Sequence, residues 1–138
     1  MTTGAVSEAA RQGESAIARI LVVDDEPECV ELLREFLTAK GYEVLAASRG
    51  EDAIRMVKAH RPHLALLDIR MPQMSGLEVL AHIHQIDREV GVIMVTGENE
   101  EEIGRQALAL GAFDYVVKPV DLAYLERCVW HKLMTMLI

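Results

Sequence analysis

Polar side chains follow four of the five short apolar runs in this chain. Asp24 and Asp25 come after the first run, Asp68 after the third, Thr96 after the fourth and Lys118 after the fifth. Carboxylate oxygens are the ligands that Mg²⁺ prefers, and a threonine hydroxyl with a lysine ammonium suits the oxygens of a transferring phosphoryl group. Since no serine, cysteine or histidine ends these runs, Asp68 is the best candidate nucleophile, and its covalent product would be an aspartyl phosphate.

The three carboxylates raise an electrostatic problem if they lie together. Their mutual repulsion raises at least one pKa unless a cation offsets the charge, and oxygen-only ligands favour Mg²⁺. The alternative interpretation makes Asp24 and Asp25 helix-capping acids, Thr96 a strand-end residue and Lys118 a solvated charge. Each of these features is common alone, whereas the complete set is not.

The apolar runs predict five strands, each followed by a helix whose apolar residues recur at helical spacing. The predicted strands are 18–23, 43–47, 63–67, 91–95 and 115–117. Near-continuous apolar runs are typical of a parallel sheet that is buried on both faces. We therefore predict an α/β fold with a doubly wound five-stranded parallel sheet, the flavodoxin-like order 2-1-3-4-5, and helices on both faces. In such a sheet, ligands bind beyond the carboxyl ends of the strands.

Several residues predict where helices begin and end. Ser75 has a glutamate three residues later, which is the spacing of a capping box, and Asn99 has the same spacing before the fourth helix. Asp121 is the expected cap of the last helix. Gly41 is the expected C-terminal cap of the first.

Length and composition indicate one domain. The chain has 138 residues, 51% of them hydrophobic, which is enough for a sizeable core. We predict a flexible N-terminal extension at residues 1–17 and a domain at 18–138. The 14 basic and 22 acidic residues give a formal charge of −8, which argues against direct nucleic-acid binding because the phosphate backbone is repelled.

The cysteines and the apolar segments indicate the compartment. Cys29 and Cys128 lack metal-site or disulfide-framework spacing, which fits a reducing environment. No signal peptide is recognisable, and no apolar stretch reaches membrane-spanning length. These features predict a cytoplasmic protein without a membrane partner.

The combined motifs resemble the response-regulator receiver family of two-component signalling, in particular its chemotaxis-regulator-like members. The resemblance extends over about residues 20–133, and its matching segments are 21–26, 66–76, 95–97 and 114–119. Ser75 stands where aspartate or asparagine is commoner in the family, but serine retains the capping role. All core positions of the family are present.

The resemblance implies a signalling switch that promotes its own phosphorylation and dephosphorylation, rather than an enzyme. It implies Asp68 as the phosphoacceptor, with Thr96 and Lys118 binding phosphoryl oxygens. It also implies a cis peptide bond between Lys118 and Pro119. The phosphoryl donor would be a sensor histidine kinase, a phosphotransfer protein or, more slowly, a small acyl phosphate.

The resemblance further implies how Mg²⁺ is held. Asp25, Asp68 and the backbone carbonyl of Arg70 would be the metal ligands, and Asp24 would assist through metal-bound water. Arg70 lies two residues beyond Asp68, and Glu98 lies two residues beyond Thr96. We therefore expect Arg70 and Glu98 to flank the mouth of the site and to pair.

For the output, the resemblance implies coupling between Thr96 and Tyr115. Phosphorylation would remodel the surface of the fourth helix, fifth strand and fifth helix, where Ala109, Phe113 and Tyr124 also lie, and we predict homodimerisation there.

An interaction module whose binding does not depend on phosphorylation is an alternative function. A Mg²⁺-dependent phosphohydrolase with an aspartyl-phosphate intermediate is another, although its usual DxDxT motif is missing.

Overall fold

The strands form one parallel sheet. The structure, a computed structural model, describes residues 17–97 and 99–137. The strands are β1 (Arg19–Val23), β2 (Glu43–Ala47), β3 (Leu64–Asp68), β4 (Gly91–Thr96) and β5 (Asp114–Val117). They lie in the order β2-β1-β3-β4-β5, and every neighbouring pair is parallel. The predicted doubly wound order is confirmed.

A helix follows each strand. The helices are α1 (Pro27–Ala39), α2 (Gly50–His60), α3 (Gly76–Ile86), α4 (Glu101–Ala109) and α5 (Leu122–Leu137). Within the described ranges, none of these helices has the length and apolar character needed to cross a membrane. Residues 1–16 of the predicted N-terminal extension lie outside the described residues, and the backbone N–H of Ile17 donates to the carbonyl of Gly41 at 3.1 Å.

The sheet separates two apolar clusters, one on each face. Side chains alternate along a strand, so Leu21 packs in the cluster beneath α2, α3 and α4, whereas its neighbour Ile20 packs in the cluster beneath α1 and α5. Both are fully buried, and burying such a side chain contributes about 1.5–3 kcal/mol. Burial on both faces explains why the strands are continuous apolar runs.

The predicted caps of α1, α3 and α5 are confirmed. Ser75 Oγ accepts the N–H of Glu78 at 3.3 Å, and the Glu78 carboxylate accepts the N–H of Ser75 at 2.9 Å. Asp121 accepts the N–H of Tyr124 at 3.1 Å. Gly41 has a φ of 104°, a left-handed conformation that ends α1. Together these caps fix how α1, α3 and α5 join their loops.

The predicted cap of α4 is wrong. Asn99 adopts a φ of 71°, and the N-cap position belongs to Glu100. The reason is a turn after β4 in which the N–H of Glu100 donates to the carbonyl of Gly97 at 3.1 Å. This turn moves the start of the helix one residue along the chain and leaves the Glu100 side chain free for another contact.

Candidate phosphoacceptor and metal site

Three carboxylates meet at the carboxyl ends of β1 and β3. Asp24 and Asp25 are the first residues after β1, and Asp68 is the last residue of the neighbouring β3. One oxygen from each lies within 4.8 Å of the others. Asp24 is 2% exposed and Asp68 is 7% exposed, whereas Asp25 is exposed. The cluster is therefore buried on one side and open to solvent at Asp25.

Lys118 supplies the positive charge of this site. Its Nζ lies 3.1 Å from Asp24 Oδ2, 3.7 Å from Asp68 Oδ2 and 2.6 Å from Glu26 Oε1, and the Lys118–Pro119 peptide bond is cis. Burial acts to lower the pKa of Lys118, but hydrogen bonds to Glu26 and Asp24 outweigh it, so the pKa is raised. The ammonium group therefore stays protonated at neutral pH. Sequence reasoning gave Glu26 no role.

The charge on Asp68 is not fully compensated. Burial, followed by the neighbouring Asp24 carboxylate, raises the pKa of Asp68 to about 6, although Lys118 and the N–H of Arg70 act in the opposite direction. That N–H donates to Asp68 Oδ1 at 3.2 Å. Burial and the Asp24 carboxylate both disfavour the ionised form of Asp68, and a cation at this position would stabilise that form.

The donors around the cluster fit Mg²⁺. The three carboxylate oxygens are hard ligands, and a spacing within 4.8 Å allows one ion to reach them, directly or through water, after small side-chain rotations. The nearby Cys29 does not compete as a soft ligand, because burial and its hydrogen bond to Asp24 raise the pKa of this thiol to about 12. The site therefore favours Mg²⁺ over thiolate-seeking metals.

Thr96 ends β4 beside this cluster, but its hydroxyl is turned away. The side chain is fully buried, and Oγ1 donates to the carbonyl of Val116 in β5 at 3.3 Å. The Thr96 carbonyl accepts the backbone N–H of Lys118 at 2.7 Å. The structure therefore places Thr96 at the edge of the site with its hydroxyl bonded to β5.

Arg70 and Glu100 border the mouth of the site. The guanidinium of Arg70 forms an ion pair with the carboxylate of Glu100, and that carboxylate accepts the N–H of Gly97 at 2.8 Å. Glu98, the partner predicted for Arg70, lies outside the described residues. Sequence reasoning missed Glu100, because an acidic residue before a helix ordinarily indicates an exposed cap.

Comparison with known proteins gives the family. The family model described as the response regulator receiver domain matches residues 20–129. The chain belongs to this family, and it is a receiver domain of the kind found in two-component response regulators. Receiver domains are signalling switches that bind Mg²⁺ at an acidic pocket and receive phosphoryl groups from histidine kinases or phosphotransfer proteins, which disfavours the phosphohydrolase alternative.

Relatives of different lengths share this domain. The chain is 37% identical over 102 residues to chemotaxis protein CheY of Bacillus subtilis, covering 73% of this chain and 85% of CheY. It is 38% identical over 115 residues to regulatory protein AtoC of Escherichia coli, covering 83% of this chain and 25% of AtoC. A crystal structure of a receiver domain protein from Clostridium thermocellum gives a TM-score of 0.83 at 30% identity, covering 88% of this chain and 99% of that one. The chain spans less than half the length of three regulatory proteins that it matches, namely 25%, 42% and 44%.

Proposed function

We propose that Asp68 is the phosphoacceptor and that it receives its phosphoryl group from the phosphohistidine of a kinase or phosphotransfer protein. The observation that carries this proposal is the environment of its two oxygens: Oδ1 accepts the N–H of Arg70, and Oδ2 lies 3.7 Å from the Lys118 ammonium. An Asp68 oxygen bonds to phosphorus while the P–N bond to the donor histidine breaks, and the imidazole keeps the bonding electrons.

The acidic cluster would hold Mg²⁺ during this transfer. We assign Asp25, Asp68 and the Arg70 carbonyl as ligands and Asp24 as a partner through bound water. When bound, the ion offsets the negative charge of the carboxylates and of the incoming phosphoryl group. Lys118 neutralises a phosphoryl oxygen from the other side, and its position between Asp24 and Asp68 supports this role.

Thr96 and Tyr115 are the proposed switch. The Thr96 hydroxyl exchanges its 3.3 Å bond to the Val116 carbonyl for a bond to a phosphoryl oxygen, and Tyr115, which packs half-buried against the first cluster, then moves inward. The altered surface of α4, β5 and α5 carries the exposed side chains of Leu110 and Tyr124. We propose that a second copy of the chain binds there on phosphorylation.

Residues 18–138 are proposed as the domain and 1–17 as its extension. The formal charge of −8 supports a role without direct nucleic-acid contact, and we place the protein in the cytoplasm. We also propose that the site itself promotes both transfer to Asp68 and hydrolysis of the product.

Phosphorylation by a small acyl phosphate tests the assignment. Wild type incubated with acetyl phosphate and Mg²⁺ is expected to gain one phosphoryl group by intact mass spectrometry, and Asp68→Ala to gain none. Asp52→Ala is the matched control, because Asp52 is an aspartate on the surface of α2 that pairs with Arg55. Equal Mg²⁺-dependent labelling of Asp68→Ala and wild type would refute the assignment.

A further inference from the structure

Glu100 contacts both loops that border the phosphoacceptor. Its Oε1 accepts the N–H of Gly97 in the loop after β4 at 2.8 Å, and its Oε2 pairs with Arg70 in the loop after β3. The Glu100 side chain is 10% exposed, whereas that of Arg70 is 73% exposed. An exposed cation therefore lies over a buried carboxylate, and the carboxylate is bonded to the neighbouring loop.

This arrangement differs from an ordinary helix cap. Glu100 occupies the N-cap position of α4 but makes no side-chain cap hydrogen bond. Its side chain turns back to Gly97, and the two residues exchange two hydrogen bonds, since the Glu100 N–H also donates to the Gly97 carbonyl. A Cβ at Gly97 would lie 3.0 Å from Glu100 Oε1, so the glycine leaves room for the carboxylate. Burying a carboxylate is costly, and the N–H and the guanidinium offset that cost.

Glu100 connects the loop that follows Asp68 with the loop that follows Thr96. The N–H of Arg70 donates to Asp68 Oδ1, so the Arg70 backbone is tied to the phosphoacceptor. Gly97 directly follows Thr96, whose hydroxyl faces β5 in this structure. If the backbone at Thr96 and Gly97 shifts as the hydroxyl turns toward a phosphoryl oxygen, that shift strains the hydrogen bond between the Gly97 N–H and Glu100.

We propose that Glu100 is a positioning residue that holds both loops in their resting arrangement and thereby limits the rate at which Asp68 is phosphorylated. This inference rests on the proposed roles of Asp68 and Thr96. Glu100→Gln retains the shape of the side chain and an acceptor for Gly97, but it removes the charge opposite Arg70. The expected result is phosphorylation that is roughly two- to fivefold faster, the range set by a partly exposed ion pair.

The test is a double-mutant cycle with acetyl phosphate and Mg²⁺. Glu100→Gln and Arg70→Gln are each expected to accelerate phosphorylation, and the double variant is expected to be no faster than either, because both changes remove the same interaction. Glu102→Gln is the matched control: it makes the same charge change two residues along, where the partner is Arg105 on the surface of α4 at 2.7 Å. Its rate is expected to equal that of wild type.

The Gly97 amide signal in NMR provides a readout that does not require phosphorylation. It is expected to shift in the same direction in Glu100→Gln and Arg70→Gln and to stay in place in Glu102→Gln. Arg70→Gln changes an exposed side chain, so the interaction can still be tested with this variant if Glu100→Gln fails to fold. Rate increases that multiply in the double variant, or a Gly97 amide unmoved by Arg70→Gln, overturn the proposal. If wild type itself is not phosphorylated, the proposed role of Asp68 fails, whereas the amide comparison still tests whether Glu100 links Arg70 to Gly97.

Discussion

The ring of Tyr115 lies directly against the backbone of Gly104 in α4. A Cβ added at Gly104 would stand 2.8 Å from two ring atoms of Tyr115, so this contact exists because residue 104 has no side chain. Gly104 is buried within the helix. Tyr115, the proposed switch residue, can therefore occupy its present position only because α4 has a glycine at position 104.

Gly104→Ala is expected to push the Tyr115 ring toward solvent. Alanine gains about 1 kcal/mol of helix propensity over glycine, which offsets part of the roughly 1–3 kcal/mol that overpacking costs. The free energy of unfolding in urea is thus expected to fall by about 0–2 kcal/mol. The aromatic NMR signals of Tyr115 report the displacement. Gln106→Ala, on the exposed side of α4, is the control, and unchanged Tyr115 signals in Gly104→Ala would contradict the prediction.

Without Mg²⁺, the stability of the fold is expected to fall as pH rises through about 6. The folded-state pKa of Asp68 is raised from 3.8 to about 6, so the folded state holds the proton more tightly than the unfolded chain. The resulting stabilisation is complete below the unfolded pKa and is lost as pH rises through the folded one. Asp68→Asn cannot ionise and is expected to exceed wild type by about 1–2 kcal/mol above neutral pH, after a discount for screening.

Urea unfolding in a chelator, at about pH 5 and about pH 8, checks this pH dependence. Asp52→Asn on α2 is the control, because it removes a carboxylate outside the acidic cluster. If Asp68→Asn and wild type lose the same stability between the two conditions, the pKa of Asp68 is not raised in the folded state.

Mg²⁺ is expected to raise the melting temperature of the unphosphorylated protein. It offsets the repulsion among Asp24, Asp25 and Asp68, and a hundredfold excess over the dissociation constant stabilises by about 2.7 kcal/mol. Thermal melts with saturating Mg²⁺ and with chelator measure the effect, and Asp25→Asn should reduce it. Coincident wild-type melts would exclude a preformed metal site.

Lys118→Met is expected to tighten Mg²⁺ binding while it weakens the metal-free fold. The ammonium lies 3.1 Å from Asp24 and 3.7 Å from Asp68, so its removal leaves negative charge that the metal can neutralise. The loss of metal-free stability is expected to be about 1–3 kcal/mol, below the value for a fully buried pair because Lys118 is partly exposed. Calorimetric titration gives the affinity, and Lys132→Met on α5 is the control. Equal or weaker Mg²⁺ binding by Lys118→Met would contradict the electrostatic argument.

Phosphorylation is expected to double the mass of wild type in light scattering, and Thr96→Ala is expected to remain monomeric although Asp68 is still phosphorylated. The alanine cannot exchange a hydroxyl bond from Val116 to the phosphoryl group. NMR of Tyr115 follows the same transition. A phosphorylated wild type that stays monomeric would exclude the dimer, and a Thr96→Ala variant that dimerises normally would exclude the threonine as the relay.

The positions of the site residues followed from simple rules, whereas their contacts did not. Asp24, Asp68 and Lys118 were predictable neighbours because the carboxyl ends of parallel strands lie at one edge of the sheet, and Ser75 was a predictable cap because its bonds are local. The contact of Glu100 depends on a turn after β4 and on a loop thirty or so residues earlier in the chain. Such long-range pairing leaves no periodic signal in a sequence.

Another such contact joins Lys118 to Glu26. The two residues are 92 positions apart and form a 2.6 Å hydrogen bond, which depends on the conformations of two loops. The orientation of the Thr96 hydroxyl was also beyond sequence reasoning, since residue type does not distinguish a bond to β5 from one to the acidic cluster. Side-chain rotamers at the site are set by neighbours that the fold brings together.

The two apolar clusters also bear on how this protein can diversify. The cluster beneath α4 includes Ala107 and contacts Tyr115, whereas Leu37 and Leu125 pack on the opposite face of the sheet. Substitutions that share no neighbours have nearly independent effects on stability. A buried substitution beneath α4 that alters the packing of Tyr115 therefore leaves the contribution of the α1 and α5 cluster to stability nearly unchanged, so the proposed switch can be tuned without weakening the other half of the core.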